Sequence, residues 1–181
     1  MWIYDLLRQM GRLGLQLGWE WELPTFGRTM KDPKALNAAQ DAVFAMPEYQ
    51  PTDYGTTFCN LSTQHVLRLL GYDALAGKTA DEMYTYISTS PDWLIKVMAD
   101  VQALVNEGTI IVGILPSTKL EESHGHINTV TPGPHMDFSG KWDCATPLCM
   151  NLGRSGTCFR SKGENWAFQV LPEFYALKET L

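Results

Sequence analysis

Basic charge is scarce in this sequence: 14 Lys and Arg stand against 20 Asp and Glu, a net charge of −6. Without a cationic excess a protein lacks the electrostatic term that drives binding to phosphate backbones, so nucleic acid is not the expected partner. Long apolar runs are missing too. No stretch approaches the roughly 20 uncharged apolar residues of a membrane-spanning helix. The opening Met1-Trp2-Ile3-Tyr4-Asp5-Leu6-Leu7-Arg8 has neither the basic start nor the continuous apolar core of a signal peptide. Cysteine is sparse as well: four residues, at 59, 144, 149 and 158, are too few for a disulfide scaffold in 181 residues. The spacing Cys144-x4-Cys149-x8-Cys158 lacks the paired C-x2-C pattern of structural zinc, so buried thiols or one disulfide are expected there, with no metal or other cofactor. What is present, 45% hydrophobic residues and six tryptophans, suits one globular domain of this length.

Periodicity organises the chain. Residues 2–18 place Trp2, Ile3, Leu6, Leu7, Met10, Leu13 and Leu17 on one helical stripe, and Ala35 to Met46 reads as a second helix closed before Pro47. These make residues 1–46 an N-terminal helical segment packed on a domain spanning 47–181. Pro47 to Gly55 reads as a loop, after which Phe58 to Leu70 is helical with Gly71 as its stop. Thr79-x-x-Glu82 is a capping box for a helix to about Ile87, and Ser90-Pro91 predicts a cap and first-turn proline for another ending near Gly108. The texture then turns to strands: Thr109 to Leu115, His126 to Thr131, Trp166 to Leu171 and Glu173 to Leu177. Helices first and an antiparallel sheet after is an α+β arrangement.

Cys59 lies at or near the N-terminus of the Phe58–Leu70 helix. A thiol at a helix N-terminus faces unpaired amide N–H groups and the positive end of the helix dipole, both of which favour thiolate and could also bind an oxyanion. His126, at the start of a strand, is a rigidly held candidate base, and Asn151 is a candidate to orient it, with Asp143 and Asp137 as substitutes. His124 is a rival base two residues away, within the polar Glu121-Glu122-Ser123 loop, and is otherwise expected to flank the cleft. His65 is expected to pack or face solvent, and His135, in a turn bounded by Pro and Gly, is expected to have no role. Trp142 and Trp166 are candidates for lining a cleft, set against ordinary packing. Glu121 and Glu122 point in different directions from a loop and do not suit a glycosidase carboxylate pair.

The run Tyr54-Gly55-Thr56-Thr57-Phe58-Cys59-Asn60 resembles the nucleophile segment of the NlpC/P60 and CHAP-type cell-wall peptidases. Gly108 to Gly113 followed by Gly125-His126-Ile127-Asn128-Thr129-Val130 resembles their base-bearing hairpin, and Pro147 to Gly153, with Asn151, the strand after it. The resemblance covers about residues 50–171. It implies a small papain-like fold with N-terminal helices packed on an antiparallel sheet, a Cys59-His126-Asn151 mechanism and cleavage of an amide in the peptidoglycan stem or cross-link peptide. It also suggests Tyr54 near the oxyanion, with Asn60, His124 and Trp142 as further substrate-binding candidates, and action in the wall or periplasm after export or lysis. An inhibitor or delivery protein is a further partner that the N-terminal segment could serve.

Phe58 and Asn60 stand where many members have Asp and Ser around the cysteine, which marks an outlying branch. Asn128 and Thr129 replace the usual small apolar residues, and are expected to make the strand more exposed or to touch substrate. Two other readings keep the same shape: a papain-like hydrolase of another acyl substrate, and a peptide-binding module without catalysis.

Overall fold

The computed structural model describes residues 31–46, 49, 58–134, 136–155, 157–162 and 168–181. The helix expected over 2–18, and Tyr54, His135 and Trp166, lie outside the described residues. Helix α1 runs Pro33–Ala45, two residues earlier than expected, because Asp32 caps it by accepting from Lys34 N–H and Pro33 occupies its first turn. Helix α2 is Cys59–Leu69, and Gly71 comes after it in the left-handed conformation at φ 85°. Helix α3 is Ala80–Thr89, opened by the capping box between Thr79 and Glu82.

A helix from Ser90-Pro91 does not form. That segment is a turn leading into strand β1, Trp93–Lys96, and helix α4 begins only at Met98, running to Asn106. Strand β2 is Ile111–Leu115, α5 the single turn Ser117–Leu120, and β3 His126–Val130. A two-stranded ribbon, β4 (Asp137–Ser139) with β5 (Cys144–Thr146), precedes β6 (Cys149–Ser155), β7 (Thr157–Lys162) and β8 (Glu173–Leu177). Residues 168–171, expected to be strand, are irregular.

The protein is α+β, with an antiparallel sheet in the order β1-β8-β2-β3-β6-β7. The register sets Leu115 against His126, Ile114 against Ile127, Gly113 against Asn128 and Val112 against Thr129. One face, carrying Val112, Ile114, Ile127 and Thr129, packs beneath the first three helices. There Ile127 and Ile114 share a buried cluster with Cys59, Leu67, Met83 and Ile87. Gln40 of α1 donates to Thr129 Oγ1 (2.9 Å) and to the Val130 carbonyl (2.8 Å), so α1 is bonded to the sheet as well as packed on it. Gln102 of α4 joins two strand ends, donating to Thr131 O and accepting from Leu148 N–H. Among the described residues no helix is long and apolar enough to cross a membrane.

Candidate functional site

Cys59 is the first residue of α2. The residue before it, Phe58, offers no side-chain cap, so the first-turn amides are left to other acceptors. The Cys59 sulfur lies among them: the amides of Asn60 and of Cys59 itself, together with that of Ile127 from β3, pull its proton affinity down. Each of these amides favours thiolate, as the sequence led us to expect. Burial outweighs them. The residue is 3% exposed, and desolvation raises the thiol's proton affinity, with the carboxylate of Asp81 adding to the rise. The helix N-terminus therefore supplies amides without supplying a resting thiolate.

The amide of Ile127 lies beside the sulfur, and His126, the residue before it, is the first of β3. The ring stands edge-on to Phe168, with centroids 4.8 Å apart, beside the cluster of Leu115, Leu120 and Phe168 on which Trp142 packs. Burial pushes its pKa down to about 4, while a hydrogen bond with the Asn151 side chain works the other way. Asn151, fully buried on β6, is thus brought to His126 by the pairing of β3 with β6 at Thr129↔Met150 and Val130↔Cys149. Of the alternatives, Asp143 lies in the turn before β5, with φ 51°, and Asp137 begins β4.

The remaining candidates are dispersed. His124 is exposed in the turn before β3. Asn60 is turned to the loop after α2, where its amide donates to the Lys78 carbonyl (3.1 Å) alongside Gln64 (2.8 Å), an anchoring role. Trp142 is half-buried, and its indole Nε1 is buried with no hydrogen-bond partner among the described residues. His65 bonds Tyr49 Oη through Nδ1 (2.6 Å), and Tyr49 also packs edge-on against Phe58 at the entrance of α2.

Asn128 and Thr129 are buried, not exposed: Thr129 takes the bond from Gln40, and Asn128 Nδ2 donates to Asn151 Oδ1 at 2.7 Å. Sequence reasoning also passed over Asp81. Its carboxylate accepts Ser117 N–H (2.6 Å) and lies against Gly125, where an added Cβ would come within 2.9 Å of Asp81 Oδ1. The signal for Asn128 was its polarity in an apolar strand; Asp81 sits in the first turn of a helix, where a carboxylate is ordinary dipole complementation, and so carries no signal of its own.

No family model matches this sequence, and no curated protein matches it.

Proposed function

We propose that this protein is a papain-like thiol hydrolase in which Cys59 attacks an amide carbonyl, His126 carries the proton and Asn151 holds the imidazole. The observation that carries the reading is the junction at β3. The amide of Ile127, the residue directly after His126, lies beside the Cys59 sulfur, and the His126 ring is bonded to Asn151. Cysteine at a helix N-terminus, histidine on a strand and asparagine on the neighbouring strand supply the side-chain types that a nucleophile, a base and its orienter need.

Burial drives both partners neutral, the thiol upward and the imidazole down to about 4. The resting pair is therefore thiol and imidazole, and proton transfer accompanies attack instead of preceding it. As the sulfur bonds to the carbonyl carbon, its proton passes to the imidazole, and the oxyanion takes over amide N–H bonds at the start of α2. Collapse expels the amine, which leaves with the imidazolium proton; water, deprotonated by His126, then releases the acid and regenerates the thiol. The buried Trp142 N–H, beside the apolar cluster that meets the His126 ring, is a donor for a substrate carbonyl. The motif resemblance points the substrate to the stem or cross-link peptide of peptidoglycan.

The test is release of new amino groups from purified peptidoglycan. Wild-type protein releases them, while Cys59→Ala and His126→Ala, checked for native melting, do not. Digestion by Cys59→Ala would sink the proposal. Burial of the thiol specifically favours a second reading, a peptide-binding module. Wild-type protein that binds a soluble stem peptide without cutting it, equally well after Cys59→Ala, would establish that reading in place of the first.

A further inference from the structure

Asn128 is 1% exposed in the middle of β3, a position where a carboxamide is costly unless it is bonded. It is bonded: Nδ2 donates to Asn151 Oδ1 at 2.7 Å, and the same side chain hydrogen-bonds the Cys149 thiol. The space it occupies is provided across the ladder. Its partner in β2 is Gly113, and a Cβ at that position would stand 2.6 Å from Asn128 Oδ1 and 3.1 Å from Phe174 Cε1. An apolar pair at 113 and 128 would fill the same volume without a buried amide, so packing alone does not account for the arrangement.

A carboxamide carries an acceptor on one arm and donors on the other, and nothing in its shape distinguishes the two. Donation from Asn128 makes the distinction for Asn151, because it requires the oxygen arm to face β3. Asn151 in turn bonds the His126 ring, and in neutral imidazole the bond made at one nitrogen selects which nitrogen carries the proton.

We propose that Asn128 is a positioning residue: by holding the Asn151 carboxamide in one orientation it selects the tautomer and ring angle of His126, with Gly113 as the space that admits it. For its catalytic consequence this rests on the thiol-hydrolase reading; the tautomer itself does not.

The experiment compares ring ¹⁵N chemical shifts of His126, assigned by the signal lost in His126→Gln, in wild type and in the double variant Gly113→Ala with Asn128→Ala. The double variant exchanges the glycine–amide pair for an apolar one of similar volume. Wild type is expected to show two well-separated ring nitrogens, one protonated and one not. In the double variant they converge as the Asn151 carboxamide turns and the tautomers mix. If the double variant does not fold, Asn128→Ala alone, which only removes volume, is read in the same way. On peptidoglycan the expected effect is about a tenfold fall in kcat with KM unchanged, the low end of the loss known for hydrogen-bond partners of metal-bound histidines, applied by analogy. Unchanged ring shifts in a folded variant overturn the proposal, even if the enzyme is active. Converging shifts in a protein that never cuts peptidoglycan uphold the positioning role and remove the hydrolase reading instead.

Discussion

His126 stays neutral in the folded protein down to about pH 4, whereas an unfolded histidine takes up its proton near 6.5. Its contribution to stability is therefore complete above pH 6.5 and is lost as pH falls toward 4, because in that window only the unfolded chain binds the proton. At 1.36 kcal/mol per unit the loss approaches about 3 kcal/mol, a large share of the roughly 5–15 kcal/mol that holds a domain folded. Urea unfolding between pH 7 and 4 should show this decline, and His126→Gln should flatten it; equal slopes would mean the ring is not buried neutral. For Cys59 the direction is opposite. Alkylation by iodoacetamide should be slow at pH 7 and rise only above the free-thiol range near 8.5, whereas a fast plateau at acid pH would reveal a preformed ion pair. Cys59, His126 and Asn151 could be named as candidates from the sequence because thiol, imidazole and carboxamide carry their chemistry wherever they stand. Asn128 was visible as a polar residue in an apolar strand, but its bond to Asn151 was not, and Gly113 and Asp81 gave no signal, since the contacts of all three are with partners that folding supplies.

Local rules decided some elements and lost others. The Thr79–Glu82 box forms as expected: Thr79 Oγ1 accepts Glu82 N–H while Glu82 accepts Thr79 N–H (2.8 Å). Thr79→Ala should therefore cost about 1 kcal/mol, read from the urea midpoint, with no change in the steepness of unfolding. Ser90-Pro91 carries an equally good local signal for a helix start, yet Trp93–Lys96 is strand. The pairing partner responsible, Phe174–Leu177 in β8, lies some eighty positions away, and no local pattern around Ser90 reports it. Trp93 is buried by that pairing and donates its indole N–H to Tyr72 Oη (2.8 Å), which secures the strand from the helical side.

At the scale of the molecule, the expected division at residue 46 crosses a shared core. Leu36, Ala39 and Val43 of α1 are buried with Val66 and Leu69 of α2 and Met150 and Leu152 of β6. Burying a leucine or valine side chain contributes about 1.5–3 kcal/mol, so losing α1 removes a large part of the net stability, and the Gln40 bonds go with it. A chain starting at residue 47 should lose cooperative thermal unfolding by circular dichroism; melting at the full-length temperature would show α1 to be dispensable. By itself the sequence determined the features that neighbours along the chain impose on one another: the α+β class, the helix with Cys59 at or near its start, the capping box, and the β2, β3 and β8 segments, rich in β-branched and aromatic residues. Only the tertiary structure decided that β8 inserts between β1 and β2, that Asn128 lies buried against Asn151, and that Cys59 is held protonated at the helix end built to favour thiolate. The physical reason is the same in each case. Desolvation and cross-strand pairing depend on which distant residues close over a group, and that information is spread along the whole chain.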